Sequence, residues 1–305
     1  MIQLILLTGF LGAGKTTLMT SILESYQDKR VGVIVNEFGK INIDAKLIKK
    51  DGIEMAELSN GSIFCACIKD KFVESLIEMS KTEIEYMFIE ASGLADPCNM
   101  PQILCGIEHK IAKPYHYKGA ICVVDGENFL GLLDLLPAIY RQVEYSDAII
   151  INKADLIDEE EIVTISRHIQ DINPKANIFV TSYCRVNIKD MVESFQVLMK
   201  EGKETTNSVG SRPNTFILVA NESLSYEDLK TFLEEIAEDT YRIKGFSQTD
   251  QGPIEISGVV NHINLNKWDD EIIGSEIVII SAVGIRMLSQ ITAALEKNLK
   301  GKLHL

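Results

Sequence analysis

Residues 9–16 read Gly-Phe-Leu-Gly-Ala-Gly-Lys-Thr, and that spacing of glycines, lysine and hydroxyl suits one task, the holding of a polyphosphate. Gly9, Gly12 and Gly14 carry no side chain to obstruct the backbone, so the loop can curl with its N–H groups pointing inward. Lys15 is placed to reach the β- and γ-phosphates, and the Thr16 hydroxyl to ligate Mg²⁺. Ala13 and Thr17 flank these residues and are counted with them as nucleotide-binding. The apolar run Ile2 to Leu7 before the loop, and the apolar positions Leu18, Ile22 and Leu23 after it, supply the strand and helix such a loop requires.

Two further carboxylates stand at the ends of apolar runs. Val31 to Val35 leads into Asn36-Glu37, which makes Glu37 a candidate for the metal environment, with a solvated loop acid as the alternative. Tyr86 to Ile89 leads into Glu90-Ala91-Ser92-Gly93, where Glu90 is expected to act on the Mg²⁺ shell or the attacking water and the Gly93 amide to face the γ-phosphate. Lys15, Glu37 and Glu90 are therefore the expected catalytic set. A third run, Ala148 to Ile151, ends in Asn152-Lys153-Ala154-Asp155. A carboxylate at Asp155 can accept both the ring N–H and the exocyclic amine of guanine, a pair adenine does not present, so GTP is expected over ATP. Thr181 and Ser182 follow the next short strand and are expected near the base. Cys65 and Cys67 form a C-x-C pair, two soft ligands where a closed zinc site wants four, so a transition-metal site and packed thiols both stand as readings.

The elements that must position these groups alternate as strand and helix from residue 1 to about 200, which implies an α/β fold. Its core is a mostly parallel P-loop NTPase sheet flanked by helices. One helix is expected over Phe129 to Tyr140, kinked or ended by Pro137, and another over Ile188 to Met199. The stretch around 204–213 is polar and apolar-poor and reads as a linker between a domain at 1–203 and a smaller α+β domain at 214–305. In that second domain a helix is expected over Ser225 to Tyr241, with Ser225 as its N-cap, and His262 is read as a solvated or packed histidine.

The 305 residues include 46% hydrophobic ones, enough for two cores, and 30 basic against 44 acidic residues give a net charge of −14. No basic cluster stands out, which argues against a nucleic-acid partner. No stretch of eighteen apolar residues suggests a membrane span, and Met1 leads straight into the first strand with no signal-peptide pattern, so a cytoplasmic protein is expected. The six cysteines are accordingly read as reduced thiols, with Cys122 in the core.

The phosphate loop, Asn36-Glu37-Phe38-Gly39, the run Glu90 to Pro97 and Asn152 to Asp155 together resemble the CobW family of metal-trafficking P-loop GTPases, relatives of UreG and HypB. The resemblance extends more loosely to Tyr241 to Phe246 in the second domain. It implies a GTP-dependent metallochaperone, or a factor in assembling a metal-cofactor enzyme, corrinoid enzymes included, with GTP/GDP and Mg²⁺ as ligands and Zn²⁺ or Co²⁺ as cargo. The partner would be a client metalloprotein, and slow hydrolysis would await that client or a homodimer. In such relatives a C-x-C-C motif follows the Asn-Gly turn. Aligned on Asn60-Gly61, its cysteines fall at Ser62, Phe64 and Cys65, with Cys67 two residues beyond and Cys98 as a further thiolate. A GTP-gated adaptor that binds a client protein and no transition metal is the rival reading.

Overall fold

A computed structural model of the chain describes residues 1–37, 54–59, 69–133, 136–195, 214–259, 262–269, 272 and 274–305. It divides into two compact units, Met1–Gly210 and Ser211–Leu305. The expected linker at 204–213 lies outside the described residues.

The first unit is a seven-stranded sheet in the order β3-β2-β4-β1-β5-β6-β7, and every neighbouring pair is parallel. The strands are β1 (Ile2–Gly9), β2 (Val31–Glu37), β3 (Glu54–Ser59), β4 (Tyr86–Glu90), β5 (Tyr115–Asp125), β6 (Ala148–Asn152) and β7 (Asn177–Val180). Helices cover both faces, which is why β1 is apolar at successive positions rather than at alternate ones. Its Ile5 and Leu7 pack with Leu18, Met19 and Ile22 of the helix Lys15–Ser25 and with Ile188 and Met191. Its Ile2, Leu4 and Leu6 pack on the opposite face with Phe72, Leu76, Met100 and Ile103.

Two expectations need correction. Phe129 to Tyr140 is not one helix but two, Phe129–Leu133 and Pro137–Glu144. Pro137 sits in the first turn of the second, where its missing N–H is one the helix would leave unbonded anyway. The helix capped by Ser225 ends at Ala237, and the strand β9 (Thr240–Thr249) begins before Tyr241 rather than after it. Tyr241 to Phe246 is held in β9 because neighbours pair with it on both sides. The helix expected to Met199 is described as Ile188–Glu193, with 196–200 outside the described residues.

The second unit is an antiparallel sheet in the order β11-β10-β9-β12-β8, formed by β8 (Thr215–Ala220), β9 (Thr240–Thr249), β10 (Gly252–Val259), β11 (His262–Lys267) and β12 (Ser275–Ser281). The helices Tyr226–Ala237 and Met287–Asn298 pack on it through Phe232, Leu233, Ile236, Ile291 and Leu295. His262 opens the edge strand β11 and is exposed.

Candidate functional site

Because the strands of the first unit are parallel and β1 lies at the sheet's centre, the carboxyl ends of β1, β2, β4, β5, β6 and β7 all lie at one edge. The loop after β1 needs its glycines for space. Gly9 has φ 134°, and a Cβ there would lie 2.2 Å from the Val123 carbonyl oxygen of β5. Gly14 has φ 115°, and a Cβ there would lie 2.5 Å from the Asn152 side-chain nitrogen. The ammonium of Lys15 folds back across the loop to donate to the Phe10 carbonyl at 3.1 Å, and the residue is only 7% exposed.

The Thr16 hydroxyl donates to Glu90 Oε1 at 3.2 Å. Glu90 is buried, and it closes β4 directly opposite Leu7 of β1 and Val35 of β2. Two residues beyond β2's Val35, Glu37 ends that strand at the same edge, opposite Ser59, while its side chain lies outside the description. Hydroxyl and carboxylate oxygens side by side at the end of the phosphate loop are the donor set a hard cation such as Mg²⁺ takes. The backbone at Gly93 lies against the phosphate loop, since a Cβ there would come within 2.6 Å of the Leu11 amide nitrogen.

The carboxamide of Asn152 ties this region to the far side of the edge. Its Nδ2 donates to the Ala13 carbonyl at 2.8 Å, and its Oδ1 accepts from the Cys184 amide at 2.9 Å. Cys184 adds a thiol bond to the Gly14 carbonyl at 3.4 Å. The loop carrying it is strained, with φ 56° at Tyr183 and 53° at Cys184, and the Asn152 bond helps to hold it there. Lys153, itself at φ 60°, places its ammonium 2.7 Å from Asp125 Oδ2 at the end of β5. Asp155 is exposed, with its amide donating to Ser182 Oγ at 3.1 Å. Thr181 bonds within its own loop instead, its hydroxyl donating to the Arg185 carbonyl at 2.9 Å. Asn152 thus spends both ends of its amide within the fold, and the carboxylate left facing outward is that of Asp155.

Asp125 and Cys184 escape a motif search. Asp125 had a signal, since Val123-Val124-Asp125 repeats the pattern of an apolar strand ending in an acid. Cys184 had none, because its partners lie 170 and 32 residues away. Burial pushes the Cys184 thiol up to about 12. Burial does the same to Cys122, with the Lys15 ammonium opposing the shift. Cys65 and Cys67 lie outside the described residues. Cys98 is buried, its amide donating to Asp96 Oδ1 at 3.1 Å. Among the described residues no group of three or more His, Cys, Asp or Glu side chains is disposed to hold a metal ion.

Residues 3–180 match the model of the CobW/HypB/UreG nucleotide-binding domain, and residues 214–301 match that of the cobalamin synthesis protein cobW C-terminal domain. The zinc-regulated GTPase metalloprotein activator 1 of Dictyostelium discoideum is 28% identical over 309 residues, covering 84% of this chain and 64% of that protein. Its namesake in Schizosaccharomyces pombe is 33% identical over 213 residues, covering 67% of this chain and 51% of that protein. The chain therefore spans about half to two thirds of the length of these relatives. The crystal structure of Zn(II)-bound YjiA GTPase from E. coli aligns with a TM-score of 0.48 at 22% identity, covering 97% of this chain and 98% of that one.

Proposed function

Because the chain belongs to the CobW/HypB/UreG family, we propose that it binds and hydrolyses GTP and couples that cycle to delivering a transition metal to a client metalloprotein. The observation that carries the nucleotide half is the Asn152 carboxamide, bonded at once to the phosphate loop and to the loop after β7, which ties the two loops together. Asp155 at the outer end would accept the two N–H groups of guanine, and Lys153, held by Asp125, would flank the base. Thr181 would shape the base loop and Ser182 would fix Asp155 within it.

At the inner end Gly9, Gly12, Ala13, Gly14 and Thr17 would offer backbone amides to the phosphates, and Lys15 would exchange the Phe10 carbonyl for phosphate oxygens. Thr16 and Glu90 would hold Mg²⁺, with Glu37 rising from the neighbouring strand end. Mg²⁺, when bound, neutralises charge that builds on the phosphate oxygens. Glu90 would orient the attacking water, and the Gly93 amide would meet the γ-phosphate. Turnover would be slow until a client or a second copy engages.

The metal half is supported by the names of the sequence relatives, zinc-regulated GTPase metalloprotein activators. Cys65 and Cys67 would be the ligands, with Zn²⁺ or Co²⁺ the cargo, and cobalamin enzymes are among the fitting clients. A cytoplasmic setting would keep those thiols reduced. No helix among the described residues is long and apolar enough to cross a membrane.

Asp155→Asn tests the nucleotide reading. It removes one acceptor for guanine and should weaken GTP binding by roughly 10- to 100-fold, as expected for a partner group left unmet, while raising affinity for xanthosine triphosphate. Unchanged GTP affinity by calorimetry would overturn the assignment. Titration of reduced protein with Zn²⁺, Co²⁺ and Ni²⁺ tests the cargo. Uptake that disappears in Cys65→Ser/Cys67→Ser supports delivery, and no uptake transfers the proposal to a GTP-gated adaptor.

A further inference from the structure

Gln142 lies on the stripe of the helix Pro137–Glu144 that faces the core, between Ile139 and Val143, and all three are buried. An amide on an apolar stripe has to find partners or it costs stability. It finds them in a single place. Nε2 donates to the Gly93 carbonyl at 3.1 Å and to the Ala95 carbonyl at 3.0 Å, so both of its hydrogens go to one turn. That turn is closed by the Ala95 amide donating to the Ser92 carbonyl at 2.9 Å. Its opposite side is Gly93, pressed so near the Leu11 amide of the phosphate loop that no Cβ fits.

We infer that Gln142 is a positioning residue for GTP hydrolysis: it latches the Ser92–Ala95 turn against the phosphate loop and so sets how strongly the site distinguishes GTP from GDP. The inference rests on the guanine-nucleotide reading above. The turn begins two residues after Glu90, whose carboxylate meets Thr16, so letting the turn go would also disturb the carboxylate beside the hydroxyl that would hold Mg²⁺. Neither Nε2 bond of Gln142 reaches the base loop or the backbone of residues 12–14. Its loss should therefore fall more heavily on GTP than on GDP.

The test compares GDP affinity, affinity for a non-hydrolysable GTP analogue, and single-turnover hydrolysis in the full chain. Gln142→Leu keeps the volume and removes both bonds. Expected are a GDP Kd within twofold of wild type, a GTP-analogue-to-GDP preference lowered about tenfold, and hydrolysis slowed by at least that factor. Gln142→Glu supplies a second readout that a purely structural role would not give. Its carboxylate would face two carbonyl oxygens, whereas the protonated acid can donate to one, so hydrolysis relative to wild type should recover as pH falls from 8 to 5.5. Wild-type preference and rate in Gln142→Leu overturn the inference, as does an equal loss for both nucleotides. If Gln142→Leu does not fold, a flat ratio of Gln142→Glu to wild type across that pH range overturns it. A wild-type chain that binds no guanine nucleotide would instead overturn the functional reading on which this one stands.

Discussion

The two sheets of this chain solve burial in opposite ways. In the parallel sheet β1 sends Ile5 and Leu7 to one core and Leu4 and Leu6 to another, so neither face has room for a charge. Polar chemistry is pushed to the strand ends, and Gly9, Glu37, Glu90, Asp125 and Asn152 all close strands at one edge. In the antiparallel sheet β10 buries alternate residues, Ile254 and Ile256 among them, and leaves those between partly exposed. Two of its buried polar groups satisfy one another, where Ser247 Oγ and Ser275 Oγ meet across β9 and β12 at 2.7 Å. A sheet covered on both faces pushes its polar groups to the strand ends, while a strand such as β10 spreads them along its length.

If that contrast is right, damage to the second core should leave the first unit's chemistry intact. Phe232 is fully buried among Leu229, Leu233 and Ile236, and Phe232→Ala should destabilise the second unit by about 3–5 kcal/mol. Calorimetry should show an early transition for that unit while GDP affinity stays within twofold of wild type. A parallel fall in affinity would break the comparison.

Asn152→Ala does the reverse. It orphans the Ala13 carbonyl and the Cys184 amide, at roughly 1–3 kcal/mol for each buried group left unmet. Stability and GDP affinity should fall together, because the same two bonds hold the fold and the pocket. Retention of wild-type GDP affinity in a folded Asn152→Ala protein would mean that the two loops keep their places without the tie.

What the sequence shows of this site follows the range of each interaction. Gly9 to Thr16 and Asn152 to Asp155 are legible because each is a run of adjacent residues whose spacing is the chemistry. The strand–helix alternation is legible because both covered faces demand unbroken apolar runs. The bond of Lys153 to Asp125 spans 28 residues and that of Gln142 to Gly93 spans 49, and no local pattern announces either. Thr181 and Ser182 look equivalent in sequence, yet only Ser182 bonds to Asp155. Pro137 is legible as an interruption, but that it starts a helix depends on the orphan N–H groups of the first turn.

The smallest expected effect sharpens the comparison from the side of what the units share, since both start helices with the same local device. In the first unit Asp158 accepts from the Glu161 amide at 2.8 Å while the Glu161 carboxylate accepts from the Asp158 amide at 3.4 Å. In the second, Ser225 accepts from the Asp228 amide at 3.3 Å. Asp158→Ala and Ser225→Ala should each cost about 1 kcal/mol, the ordinary loss when an N-cap is removed. Each loss should appear only in the transition of its own unit, and neither should move GDP affinity. A cap removed from Glu159–Ile172 that lowered nucleotide affinity would mean the edge after β6 needs that helix to hold Asp155 in place, and the site would reach deeper into the first unit than its strand ends.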